Sequence, residues 1–79
     1  MKVEVELFAT LAPYLPAGAT GDSVTLDMRD GTTVAEVLRS LQIPTRLECL
    51  IVVNGRDAPS ERQLADGDVL SLFPPLAGG

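Results

Sequence analysis

The chain has 79 residues, enough for one domain close to the lower size limit of a self-sufficient hydrophobic core. With 46% apolar residues and a mean hydropathy of +0.23, it is too hydrophobic to stay disordered. A net charge of −5 argues against nucleic-acid binding, which needs clustered Lys and Arg, and suits partners with a basic docking surface.

Residues that usually carry catalysis or bind metals are scarce. There is no histidine, and the single cysteine, Cys49, cannot form an intramolecular disulfide. Cys49 could be read as a reactive thiol, but its apolar neighbours favour a small core residue. Asp66 and Asp68 flank Gly67 as in a turn, and we favour that interpretation over a metal site. We therefore expect no bound metal or cofactor and no enzymatic activity in this chain.

Neither targeting nor membrane insertion is indicated. Residues 1–6 alternate charged side chains with valine, unlike the apolar region of a signal peptide. The longest apolar run, residues 49–53, is far too short to span a membrane. We expect a cytoplasmic protein, and one free cysteine fits a reducing compartment.

The first half of the chain predicts two strands and a helix. Strict alternation over residues 2–8 and 24–28 indicates two half-buried strands, separated by a loop rich in Pro and Gly. Thr33 and Glu36 have the spacing of a helix capping box. An apolar stripe with helical spacing follows, formed by Val34, Val37, Leu38 and Leu41. Pro44 ends the helix.

The second half predicts three more strands. Residues 47–53 form an apolar strand, Asn54-Gly55 favours a hairpin into residues 56–58, and residues 69–73 form the last strand. The result is an α+β domain, a sheet of about five strands covered on one face by a single helix. Alternation in the last strand turns Leu70 and Leu72 toward the helix and Phe73 outward as an anchor for partners. The alternative is that Phe73 packs into the core at the sheet end.

We divide the chain into a domain over residues 1–73 and a C-terminal tail over residues 74–79. The tail reads Pro74, Pro75, Leu76, Ala77, Gly78 and Gly79, and follows the last strand without a polar linker. Two glycines without Cβ atoms could enter a channel too narrow for side chains, although a frayed terminus is the simpler alternative. The terminal carboxylate needs activation before it can carry a group. Because nothing else in the chain could activate it, we expect the protein to be the substrate of an ATP-using enzyme.

Five segments carry a resemblance to a known family. They are Leu7-Phe8-Ala9, Gly31-Thr32-Thr33-Val34, Val53-Asn54-Gly55, Asp66-Gly67-Asp68, and residues 73–79. Together they make the chain similar to the MoaD/ThiS family of ubiquitin-like sulfur carriers, and most similar to its MoaD branch. The tail is the specific part of this match. The other four segments mostly mark turns and element ends.

The resemblance implies a fold, a site and partners. The fold would be a β-grasp, with the first and last strands adjacent and parallel. An adenylating enzyme would activate Gly79 with ATP, and a sulfurtransferase system would convert it to a thiocarboxylate. Residues 73–78 would bind partners, among them the large subunit of molybdopterin synthase, where sulfur builds the dithiolene of the molybdenum or tungsten cofactor. Two alternatives stay open: sulfur delivery to the thiazole of thiamine, and conjugation to proteins as a ubiquitin-like modifier.

Overall fold

A computed structural model describes residues 1–44 and 47–75. The strands are β1 (Lys2–Leu7), β2 (Ser23–Asp27), β3 (Leu50–Val53), β4 (Arg56–Asp57) and β5 (Val69–Phe73). A 3-10 helix covers Ala9–Tyr14, and the α-helix α1 covers Val34–Ser40.

The five strands form one mixed sheet in the order β2-β1-β5-β3-β4. The first and last strands, β1 and β5, are neighbours and run parallel, and the other three pairings are antiparallel. Glu4 is opposite Val69 at the start of β5, and Leu7 is opposite Leu72 near its end. The predicted α+β class and the β-grasp arrangement are confirmed.

The hydrophobic core lies between one face of the sheet and α1. Alternation along β1 and β2 turns their apolar side chains to this inner face and their polar ones to the outer face. Leu70 and Leu72 of β5 are fully buried there, as predicted. The other buried apolar side chains of this core are Val3, Val5, Leu7, Leu11, Val34, Val37, Leu41, Ile43, Val53 and Leu64.

The start of α1 is fixed by the predicted capping box. The Glu36 amide donates to Thr33 Oγ1 at 3.3 Å, and the Thr33 amide donates to Glu36 Oε1 at 3.0 Å. The hydrogen bond from the Thr33 backbone holds the pKa of Glu36 below its ordinary value. The helix ends before Gln42, whose φ of 62° leaves the helical region, so the chain turns before Pro44.

Two predicted elements differ from the observed ones. The strand predicted over residues 47–53 begins only at Leu50, because the Leu47 amide donates to the Pro44 carbonyl in a turn. Cys49 therefore precedes β3 instead of lying within it. Part of the region preceding β2 is the 3-10 helix Ala9–Tyr14, with Pro13 inside it, which residue alternation does not reveal.

A buried carboxylate joins three segments at the end of the sheet where β5 begins. Asp68 Oδ1 accepts from Asn54 Nδ2 and Asp68 Oδ2 accepts from the Ala65 amide, both at 2.8 Å. Asn54 Oδ1 in turn accepts from the Val69 amide at 2.9 Å. The bond from Asn54, followed by that from Ala65, holds the pKa of Asp68 below its ordinary value. Asp68 thus has a structural role in closing the β3–β4 hairpin against β5.

We predict that Asp68→Asn destabilises the domain by about 1–3 kcal/mol, because one amide oxygen cannot replace two carboxylate acceptors. The pKa of Asp68 is lowered in the folded state, so its contribution is present above the ordinary carboxyl pKa of about 3.9. That contribution is lost as pH falls through the lowered value. Urea denaturation between pH 7 and pH 2 measures the difference between wild type and variant. Asp57→Asn, on the exposed strand β4, is the matched control. An equal loss of unfolding free energy in both variants would contradict the structural role of Asp68.

Candidate functional site

The position of β5 determines where the chain leaves the domain. Because β5 runs parallel to β1, it ends beside the end of β1 and the start of β3. Pro74 is half-buried at this end, and Pro75 is exposed. The predicted site residues Leu76, Ala77, Gly78 and Gly79 lie outside the described residues, and their roles stay predictions.

Three apolar side chains, Phe8, Leu50 and Phe73, form what we call the tail-end patch. Phe73 is 36% exposed and Leu50 is 51% exposed, and the two are direct partners in the β3–β5 register. The rings of Phe8 and Phe73 are nearly parallel, with centroids 4.7 Å apart and an interplanar angle of 10°. Phe73 thus lies on the outer face of β5 beside the tail, not in the core. Exposed apolar groups gathered at one place are typical of an interaction surface.

Sequence reasoning missed the contribution of Phe8. After inward-facing Leu7, alternation places Phe8 on the outer face, where its amide donates to the Leu72 carbonyl at 3.2 Å. Ala9 then adopts a φ of 54°, uncommon for a residue with a side chain, and turns the chain away from the sheet. The outward position of Phe8 could have been read from the alternation in residues 2–8. The contact of Phe8 with Phe73 could not be predicted from alternation, because this contact depends on β1 lying beside β5.

The rest of the outer face carries mostly polar side chains, several of them acidic, beside Val52 and Val69. Glu4 and Glu6 of β1 project there, and Ser71 Oγ donates to Glu6 Oε1 at 2.7 Å. The strand registers add Asp27 and Asp57 to the same face, together with Lys2. The tail-end patch therefore borders an acidic surface. This combination suits a partner that presents an apolar recess flanked by basic groups.

The described residues offer little for catalysis. Within residues 1–44 and 47–75, no three or more Cys, Asp or Glu side chains are grouped closely enough to hold a metal ion. A groove of about 510 Å³ at the end of α1 is lined mainly by apolar groups, including Leu38, Ile43 and Leu47. Burial raises the pKa of the half-buried Cys49 thiol, which disfavours the reactive thiolate. No α-helix in the described part of the chain has the length and apolar character to span a bilayer.

Comparisons with known proteins agree with this architecture. The model of the ThiS family matches residues 5–79. SAMP1 of Haloferax volcanii is 29% identical, with full coverage of both chains and a TM-score of 0.76. The HVO 2177 protein of the same organism is 32% identical over the whole of this chain and 87% of its own, with a TM-score of 0.80. The comparison with curated proteins gives no match.

A further structural relative comes from a complex. In the complex of subunits 1 and 2 of the Helicobacter pylori molybdopterin-converting factor, the matched chain is 28% identical, with full coverage of both chains and a TM-score of 0.60. The present chain belongs to the ThiS family, and the predicted MoaD/ThiS relationship is confirmed. It has the ubiquitin-like fold shared by the sulfur carriers and modifiers of this group.

We predict that Phe73→Ala lowers the free energy of unfolding by only about 0.5–1.5 kcal/mol, the scale of an aromatic pair. Phe73 is partly exposed, so truncation removes the stack on Phe8 without opening a core cavity. Leu72→Ala, at the preceding residue, is the matched control. The Leu72 side chain is fully buried, so its truncation should lower the free energy of unfolding by about 2–5 kcal/mol. Urea denaturation measures both. Similar losses for the two variants would mean that Phe73 is a core residue.

Proposed function

We propose that this protein is a sulfur carrier whose Gly79 carboxylate is adenylated and converted to a thiocarboxylate for dithiolene formation in molybdopterin biosynthesis. The observation that carries the proposal is the direct passage from β5 into the Pro-Pro-Leu-Ala-Gly-Gly tail at the edge of the tail-end patch. A partner that binds the tail-end patch would receive the tail in a fixed direction.

The chemistry requires activation of a poor electrophile. A carboxylate oxygen of Gly79 attacks the α-phosphorus of ATP, pyrophosphate leaves, and a mixed anhydride with AMP forms. A sulfur nucleophile supplied by a sulfurtransferase then attacks the acyl carbon and displaces AMP. The resulting thiocarboxylate sulfur is the nucleophile that the carrier delivers. The carrier itself provides docking and reach, since four residues beyond Pro75 extend about 13 Å.

The proposed partners are an ATP-dependent adenylating enzyme, a sulfurtransferase and the large subunit of a molybdopterin synthase. The Helicobacter pylori relative, solved as a complex of two molybdopterin-converting factor subunits, supports the last of these. The acidic outer face would speed association with basic partner surfaces. Phe73, Pro74 and Pro75 would contact the partner first, and Leu76, Ala77 and Gly78 would lie inside the partner's channel. We place these steps in the reducing cytoplasm.

Two other functions use the same tail. The Haloferax volcanii relatives include a small archaeal modifier protein, which favours conjugation of Gly79 to lysines of other proteins as the second candidate. Delivery of sulfur to the thiazole of thiamine is the third. Mass spectrometry of the protein from its natural cells distinguishes the first two: sulfur replacing a terminal oxygen supports the carrier, and lysines bearing a fragment that ends in Gly79 support the modifier.

We predict that deletion of Gly79 abolishes adenylation and sulfur transfer, because it withdraws the carboxylate by about 3.3–3.6 Å from the reacting phosphate. Gly78→Val should impair both steps strongly, since a branched side chain would enter a channel shaped for glycine. Neither change should alter the unfolding curve. Pyrophosphate exchange and thiocarboxylate formation are the measurements, and Ala77→Gly is a control that adds no bulk. Normal transfer by the deletion variant would exclude Gly79 as the carrier.

We predict that Cys49→Ala retains sulfur transfer, at a stability cost of roughly 1 kcal/mol from lost packing. The half-buried thiol has a raised pKa, and its Sγ lies 3.7 Å from the Leu47 carbonyl oxygen, so it is not poised as a nucleophile. A coupled sulfur-transfer assay on the folded variant tests this. A variant that is folded and adenylated but fails to transfer sulfur would show that the thiol takes part.

A further inference from the structure

Lysine is almost absent from this chain. Lys2 is the only lysine, and the other five basic residues are arginines. An activated acyl group reacts with an amine nitrogen that has a free electron pair. Arginine stays protonated at any physiological pH and does not serve as such a nucleophile. The side-chain amine of Lys2 is therefore the only one in the chain that an activated carboxyl could acylate.

The α-amino group of Met1 is the other amine, and it is engaged in contacts within the fold. This group donates to the Met28 carbonyl at 2.8 Å. It also lies 3.7 Å from carboxylate oxygens of Asp27 and Asp30. Acylation of this amino group would require it to leave the Met28 carbonyl and both carboxylates.

Lys2, by contrast, is exposed and held at a fixed position. It is the first residue of β1, opposite Asp27 in the strand register. Its amide donates to Asp66 Oδ1 at 2.7 Å, and its carbonyl accepts from the Gly67 amide at 2.8 Å. The backbone beneath the amine is therefore tied to the turn before β5, and the alternation of β1 places Lys2 on the outer face.

The tail of the same copy is poorly placed to reach Lys2. Since β1 and β5 are parallel, Lys2 lies at one end of the sheet and the chain leaves after Phe73 at the other. Lys2 and Phe73 are separated along the strand direction by six residue steps, or about 20 Å. The six residues after Phe73 span about the same distance, and the Lys2 side chain adds to it, so the tail of the same copy must reverse direction at once and stay largely extended. Another copy can approach Lys2 without this constraint.

We propose that Lys2 is the single acceptor site through which a second copy of this protein is joined, by an isopeptide bond from the activated Gly79 carboxyl. The Lys2 Nζ attacks the acyl carbon of the Gly79 adenylate, AMP leaves, and the nitrogen loses a proton. Each copy has one donor and one acceptor, so repeated joining gives linear, unbranched chains with one type of linkage. The inference rests on the activation of Gly79 proposed above.

Two matched variants isolate this bond. Lys2→Arg keeps the positive charge and an intact donor tail but removes the acceptor amine. Deletion of Gly79 keeps Lys2 but removes the donor. The two full-length chains, distinguishable by mass, are expressed together in the natural cells of this protein. We expect one covalent dimer, with a fragment ending in Gly79 of the Lys2→Arg chain attached to Lys2 of the deletion chain. Neither variant expressed alone should form a dimer or longer chain.

The same preparation separates failure of this inference from failure of the proposed function. Intact-mass analysis of the Lys2→Arg monomer reports whether Gly79 carries AMP or sulfur. An activated monomer without the Lys2-linked dimer would overturn the inference and leave the carrier function standing. Dimers that persist in either variant alone would also overturn it. A monomer with an unmodified Gly79 would refute the activation, and both proposals with it.

Discussion

The parallel pairing of β1 with β5 is the constraint on which the rest of this structure depends. It joins residues more than sixty positions apart, as in the bond from Ser71 to Glu6, with a sequence separation of 65. This pairing lays Leu70 and Leu72 over the core next to the side chains of β1. It also brings the end of β5 beside Phe8, which is why the partly exposed aromatic pair lies where the chain leaves the sheet.

The two ends of the sheet are built in different ways. At the start of β5, Asp68 and Asn54 form directed hydrogen bonds to backbone and side chain, and the turn residues Asp66 and Gly67 are tied to Lys2. At the end of β5, the exposed contacts are apolar and partly open to solvent. Directed polar bonds fix geometry, whereas an open apolar surface keeps free energy available for a partner. Polar bonds therefore hold one end of the sheet together, and the other end leaves an apolar surface partly open to solvent.

Much of this arrangement follows from local patterns in the sequence. Alternation placed β1, β2 and β5 within a residue of their observed bounds, and the Thr33–Glu36 spacing gave the helix start. The pairing of β1 with β5 came from the family resemblance, because periodicity does not tell which strands are neighbours. The roles of Phe8 and of the Asn54–Asp68 bond were missed for the same reason. Each depends on a partner distant in sequence, and Asn54 and Asp68 were read only as turn residues.

The location of β5 also bears on how the protein comes into being. This strand lies inside the sheet, between β1 and β3, yet it is the last strand along the chain. Such distant pairings form slowly, and synthesis proceeds from the N-terminus. While β5 is still within the ribosome, β1 and β3 have no neighbour between them and the core lacks Leu70 and Leu72. A product of interrupted translation that lacks β5 would expose unpaired strand edges and be a target for proteolysis. Only chains synthesised through β5 can complete the sheet and the core.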